Sequence, residues 1–163
     1  MKIEILEQHG YHFLWIDDQL WMWDIPDESK YQKVIADQAC GNVLVAGYGL
    51  GVIQKYLEQN PKVKSVHTIE LYQGVIDVCR EHFGEIYGSH SIGDFFELCP
   101  ADVNNIDCVV GDVWVDIVPE SLAAYCEFKE VALSVVEDKD KIFAWGQDFF
   151  EYLLRNTNTN KNG

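Results

Sequence analysis

The sequence predicts an α/β protein, a doubly wound, mostly parallel sheet of about five strands in the order 3-2-1-4-5 behind a small N-terminal β-meander. Two observations carry this. First, Val43-Leu44-Val45-Ala46 runs into Gly47-Tyr48-Gly49-Leu50-Gly51, and a helical pattern follows at Val52, Ile53, Tyr56 and Leu57. That is a strand, a tight turn and a helix start, with glycines leaving the backbone open to a ligand. Second, strand-like and helix-like segments alternate from there to the C-terminal region, as parallel strands joined by crossover helices require.

The elements follow in order. Ile3 to Leu6, Tyr11 to Ile16 and Leu20 to Trp23 are strand-like and broken at His9-Gly10 and Asp17-Asp18, which makes the meander of residues 1–25. Pro26-Asp27-Glu28-Ser29 starts a helix with Tyr31, Val34, Ile35 and Ala39 at helical spacing, ended by Gly41-Asn42. The sheet strands are then expected at Val43 to Ala46, Ser65 to Glu70, Ser89 to Ile92, Ile106 to Val110 and Lys141 to Trp145. Helices are expected over Leu50 to Gln59, Gln73 to Phe83 and Glu120 to Val136, with a last helical turn or two from Phe149 to Arg155. Residues 1–155 form one domain, and 156–163 read as a flexible polar tail.

Bulk properties narrow the partners. The 163 residues carry a formal charge of −15, spread along the chain. Nucleic-acid affinity depends on Lys and Arg neutralising phosphates, so nucleic acid is not an expected partner. An acidic surface suits a cationic ligand, or serves solubility alone. The five cysteines, Cys40, Cys79, Cys99, Cys108 and Cys126, lack C-x-x-C spacing and sit among apolar residues, as reduced buried thiols do. Met1-Lys2-Ile3-Glu4 leads into no signal-peptide core, and no apolar run reaches the length of a membrane span. A cytoplasmic protein is expected.

The chemistry gathers at the carboxyl edge of the sheet. Val66-His67-Thr68-Ile69 ends in Glu70, an acid about 20 residues past the glycine turn, placed to accept hydrogen bonds from ribose hydroxyls. The spacing G-x-G-x-G differs from the G-x-G-x-x-G of dinucleotide sites, which weakens an NAD reading, and two further features favour an S-adenosylmethionine (SAM) site. Gly93-Asp94-Phe95-Phe96 follows the third sheet strand, where an acid can accept from an adenine amine and an aromatic can pack on its ring. Asp112 follows the fourth, where a transferred group would lie. Each has a plainer explanation: a bare strand-turn-helix with a chance acid, a helix cap at Asp94 and a solvated loop acid at Asp112.

Other polar residues are less eloquent. His9 and His12 form H-x-x-H on a turn and strand, which does not set two rings toward one metal, and no metal site is expected. His67 lies inside a strand and reads as packed. Trp15, Trp21 and Trp23 alternate along adjacent strands, as a shared face would, forming a small core or a lid on a ligand.

Taken together, Gly47 to Gly51, Ile69-Glu70, Gly93-Asp94 and Asp107-Cys108-Val109-Val110-Gly111-Asp112 resemble the motifs of class I SAM-dependent methyltransferases, whose sheet is Rossmann-like. Within that superfamily the spermidine synthase branch is most similar: Asp27-Glu28-Ser29-Lys30-Tyr31-Gln32 resembles its D-E-x-x-Y-[QH] segment, and the Trp15 to Asp18 turn its L-D-G turn. The resemblance covers Tyr11 to Phe150. It implies that Gly47, Gly49 and Gly51 approach the methionine-like part of the cofactor, Glu70 holds the ribose, and Asp94 with Phe95 takes the adenine. It implies that Asp112 is the base or amine anchor, with Tyr31 and Gln32 facing the cofactor's reactive end or the acceptor amine. SAM or decarboxylated SAM is the implied cofactor, and a small amine such as a polyamine the implied acceptor.

The departures bear on the reaction. Leu50 stands where aminopropyltransferases carry a loop acid, Asp112-Val113-Trp114-Val115-Asp116 replaces D-[ST]-x-D-P, and Trp21 stands near an expected glutamine. No sixth and seventh strands follow, so the fifth strand, Ile142-Phe143-Ala144-Trp145, is an apolar edge. Bare edges of this kind are usually covered, here by Phe149 to Leu154 or by the second subunit of a homodimer. The two readings carried forward are a transferase of methyl or aminopropyl groups and a SAM- or nucleoside-binding domain without turnover, acting as a sensor or complex subunit.

Overall fold

The computed structural model describes residues 1–161, with side chains through 157. Strands β1 (Ile3–Gln8), β2 (Tyr11–Ile16) and β3 (Gln19–Trp23) form an antiparallel sheet in that order. Helix α1 (Pro26–Asp37) leads into a second sheet built from β4 (Gly41–Ala46), β5 (Val63–Glu70), β6 (Ser89–Ile92), β7 (Cys108–Gly111) and β8 (Ile142–Ala144). Its order is β6-β5-β4-β7-β8, and every pairing in it is parallel. Helices α2 (Val52–Gln59), α3 (Gln73–Phe83), α4 (Leu122–Val136) and α5 (Gln147–Lys161) complete the fold. This is the doubly wound sheet in the predicted order.

The two-residue period of the strands divides the core. Val43, Val45, Cys108 and Val110 face α1 and α2, packing with Ile35, Ala36, Ile53 and Leu57. Leu44, Ala46 and Val109 face the other way, onto Phe128 of α4 and Phe150 of α5. The antiparallel sheet sits on α3 through Leu14, Ile3 and Ile5 against Val75, Ile76 and Cys79. Each layer therefore buries one apolar face, and the carboxyl edge of the parallel sheet is left open for a site. Among the described residues no helix is long and apolar enough to cross a membrane.

Several boundaries moved for local reasons. Gly51 adopts φ 74° and caps α2, so that helix starts at Val52 rather than Leu50. Pro119–Ser121 forms a 3-10 turn, which delays α4 to Leu122. The last helix is longer than Phe149 to Arg155: it spans Gln147–Lys161, so the polar stretch from 156 is helical as far as 161. Residues 162 and 163 of the expected tail lie outside the described residues.

The three tryptophans do not share a face. Trp23 pairs with Phe13 and Trp15 with Leu20, while Trp21 is the extra residue of a bulge in β3 and has no partner opposite. It packs with Met22 among the residues that join the antiparallel sheet to Tyr48 and α3.

The outer edge of β8 is met by the side chain of Gln147. The Ala144 amide donates to Gln147 Oε1 at 3.1 Å, and Gln147 Nε2 donates to the Ile142 carbonyl at 3.2 Å. One amide thus imitates a neighbouring strand. Replacing Gln147 with alanine is expected to cost about 1–3 kcal/mol, the penalty of buried groups left unpaired, and to promote self-association through the bared edge. Urea unfolding and sedimentation velocity check this; unchanged values in both would show that Gln147 does not protect the edge.

Candidate functional site

The glycine turn is shaped by what surrounds it. Gly47, Gly49 and Gly51 all have positive φ, at 87°, 57° and 74°. A Cβ on Gly49 would collide with Met22 Sδ of β3, and one on Gly51 would lie 2.6 Å from the Tyr48 hydroxyl. Of the three, Gly47 and Gly49 line an inner cavity, and Gly51 makes room for the Tyr48 ring. Met22 also accepts the Leu50 amide through its sulfur at 3.4 Å, which fixes the antiparallel sheet against the turn.

Glu70 closes the other side. It is buried, and its carboxylate accepts the Tyr48 amide at 2.7 Å and the Tyr72 amide at 3.1 Å. Burial pushes its pKa up, and these backbone amides oppose the rise. Glu70 therefore ties the glycine turn to the end of β5 and faces the same cavity. Asp94 does cap the short turn that follows it, accepting the Phe96 amide at 2.9 Å, and it also lines this cavity with Phe95 and Phe96. Phe95 is held by a tilted contact with Phe128 at 5.5 Å.

This inner cavity has a volume of about 170 Å³. An outer cavity of about 320 Å³ adjoins it, lined by Leu20, Trp21, Met22, Trp23, Glu28, Asp112, Val115, Asp116 and Trp145. Trp21 and Asp112 line both. Among the described residues, no Lys, Arg or His lines either. That lining lacks the cations that a pyrophosphate needs and supplies the carboxylates that ribose hydroxyls, an amine or a sulfonium prefer.

The acids of the outer cavity are organised by one amide. Gln32 is fully buried on α1, and its Nε2 donates to Glu28 Oε1 at 3.2 Å and to Asp112 Oδ2 at 3.0 Å. Burial first, and then the nearby Glu28, push the Asp112 pKa up to about 7, while the Gln32 hydrogen bond opposes the rise. The Glu28 carboxyl is likewise raised by burial, with Asp116 adding to the rise. Two neighbouring carboxyls that resist ionisation are relieved by a cation or by a proton.

Of the residues singled out in the sequence, Gly47, Gly49, Glu70, Asp94, Phe95 and Asp112 come together around the inner cavity. Gly51, Tyr31 and Gln32 line neither cavity. The Tyr31 hydroxyl accepts the Gly146 amide at 3.0 Å, bracing the turn after Trp145. Gln32 bridges two acids from below. His67 bonds Ser89 at 2.7 Å and Ser91 at 3.0 Å on the next strand. Sequence reasoning gave no role to Glu28 or Trp145. Glu28 and Gln32 stand four apart on a helix, so they share a face, and that spacing was the available signal.

No family model matches the sequence. Solved structures do resemble the fold. Spermidine synthase from Thermotoga maritima superposes with a TM-score of 0.62 at 18% identity, over 82% of this chain and 50% of that one. A S-adenosylmethionine-dependent methyltransferase from Clostridium acetobutylicum matches at 0.50 and 13%, over 74% and 50%. The N-terminal domain of EvdMO1 with SAH bound matches at 0.50 and 19%, over 69% and 47%. The chain thus spans about half the length of these structures. With its sheet order and helix placement, it has the fold of the class I methyltransferases.

Proposed function

We propose that the chain is a SAM-dependent transferase that moves a methyl or aminopropyl group to a small cationic amine. The observation that carries this is the pair of adjoining cavities sharing Trp21 and Asp112. The inner one offers the glycine turn, Glu70 for ribose hydroxyls, and Asp94 with Phe95 for adenine. The outer one offers Glu28, Asp112 and Asp116 among three tryptophans, a lining that suits an ammonium group. The likeness to a spermidine synthase and to methyltransferases supports the same reading.

When bound, the cofactor would supply a sulfonium whose attached carbon is open to a nucleophile. The chain's part is to hold the amine in line, exclude water and remove a proton. Asp112, with a pKa near 7, is matched to take a proton from an ammonium at neutral pH. Gln32 positions that carboxyl, and Trp21 lines both cavities. Leu50 in place of a loop acid leaves one carboxylate fewer for a cation, which favours methyl transfer over aminopropyl transfer.

Calorimetric titration with SAM, decarboxylated SAM and methylthioadenosine tests this. Binding of SAM above the decarboxylated form, with turnover on amines, is the expected outcome. Preference for the decarboxylated form would favour aminopropyl transfer, and binding without turnover across amines would favour the sensor or complex-subunit role. No binding of any of the three would overturn the cofactor assignment.

A further inference from the structure

A cluster away from both cavities joins the antiparallel sheet to α3. Glu7 of β1 lies directly opposite His12 of β2 in the sheet register, so their side chains share a face. His82, in the last turn of α3, reaches the same point. One ligand-capable atom from each of Glu7, His12 and His82 lies within 4.8 Å of the others.

The distances suit a shared ion as well as ion pairing between Glu7 and the two histidines. His12 Nδ1 is 2.6 Å from Asp24 Oδ2, and the His12 amide donates to Asp24 Oδ1 at 2.6 Å. Asp24 therefore fixes the ring and places the proton on Nδ1, which leaves the Nε2 lone pair directed away from it. On that side Glu7 Oε2 is 3.7 Å from His12 Nε2 and 3.5 Å from His82 Nε2. Both separations are too long for hydrogen bonds. Ligand atoms around one tetrahedral ion with bonds of about 2.0–2.2 Å stand roughly 3.3–3.6 Å apart; the His82 separation falls in that range and the His12 separation just beyond it.

The surroundings suit an ion as well. Phe83 packs edge-on against both imidazoles, with centroids at 4.8 and 4.9 Å, and the rings stand at 81° to each other. Glu7 and His82 side chains keep 55% and 30% of their exposure, enough for entry and for a water as fourth ligand. The sequence spacing set His9 with His12 aside as a metal pair and led to no expected metal site; the second histidine of this cluster comes from a helix seventy residues on.

We propose that Glu7, His12 and His82 bind one Zn²⁺, with Asp24 as the outer partner of His12, fastening the β1–β2 hairpin to the end of α3. Two imidazoles and one carboxylate select a borderline transition ion over Mg²⁺ or Ca²⁺. The same sheet carries Trp21 to both cavities and Met22 to the outer one, so the ion would steady that wall.

The test uses the full chain stripped with a chelator and titrated with ZnCl₂, followed by calorimetry and thermal melting, with Co²⁺ as the spectroscopic probe. One Zn²⁺ per chain is expected, with Tm raised by about 5–10 °C at a hundredfold excess over Kd and no effect of Mg²⁺. Glu7→Gln and His82→Ala should each weaken binding at least about 10-fold, while circular dichroism without metal stays that of the wild type. Asp24→Asn should weaken it about 10–100-fold through His12. Co²⁺ should give tetrahedral bands without thiolate charge transfer. No Zn²⁺ binding, unchanged affinity in both Glu7→Gln and His82→Ala, or a thiolate band from one of the five cysteines would each overturn the proposal. None of these readouts involves the cofactor, so the transferase reading stands or falls separately.

Discussion

Replacing Asp112 with asparagine is expected to abolish transfer and, above neutral pH, to stabilise the fold. As the proposed base, Asp112 should contribute about 10²–10⁴-fold to turnover. Its effect on stability has the opposite sign. The folded protein holds the Asp112 proton up to about pH 7, against an ordinary value of 3.8, because burial and Glu28 disfavour the charge. Between those values the folded state binds more proton than the unfolded chain, so stability falls as pH rises through that window and is flat above it. At 1.36 kcal/mol per pH unit the upper bound is about 4 kcal/mol; access of cavity water reduces it to roughly 1–2 kcal/mol.

Asparagine keeps an oxygen for Gln32 Nε2 and carries no charge, so it escapes this cost. Glu70, also raised by burial, acts in both proteins and cancels to first order in the difference, whereas Glu28, whose charge opposes that of Asp112, is relieved in the variant and adds to the same gain. Urea unfolding at pH 4.5, 6, 7 and 8 should show Asp112→Asn gaining on the wild type across the series. A constant difference would mean that the Asp112 carboxyl is not held in the way the cavity geometry indicates.

Glu70→Ala is expected to weaken SAM binding by at least about 100-fold, the loss of two hydroxyl–carboxylate hydrogen bonds at about 1.5–3 kcal/mol each. It should also lower stability by about 1–3 kcal/mol, because the Tyr48 and Tyr72 amides lose their acceptor. Glu70→Gln separates the effects. It keeps one acceptor oxygen for the turn but no charge for the ribose, so it should recover stability more than affinity. Calorimetry beside urea unfolding reads both; if Glu70→Ala binds SAM like the wild type, Glu70 only ties the turn.

Much of this was legible in the chain because the signals are local. Val43 to Ala46 alternate across the sheet, Gly47 and Gly49 need positive φ, and acids after β5 and β7 fall on the carboxyl edge by topology. What was not legible depends on how elements meet. Tyr31 and Gln32 are adjacent on α1, and no local pattern says that both turn inward, one to Gly146 and one to Asp112. Trp21 was misplaced because a single extra residue breaks the two-residue period. The histidine partner of His12 was hidden by sequence distance, and the polar run from 156 gave no apolar stripe to mark a continuing helix.

The position of β3 has a consequence for how recognition can drift. It is the outermost strand of its sheet, and its consecutive residues Leu20, Trp21, Met22 and Trp23 line the outer cavity. Peptide groups on an outer strand have no strand partner on one side. Donors and acceptors of that kind survive any exchange of side chains except to proline. Under the proposed transferase reading, selectivity for an acceptor is rewritten through Leu20, Trp21 or Trp23 while the main-chain part of the wall stays as it is, so related chains diverge in acceptor without rebuilding the frame that presents it.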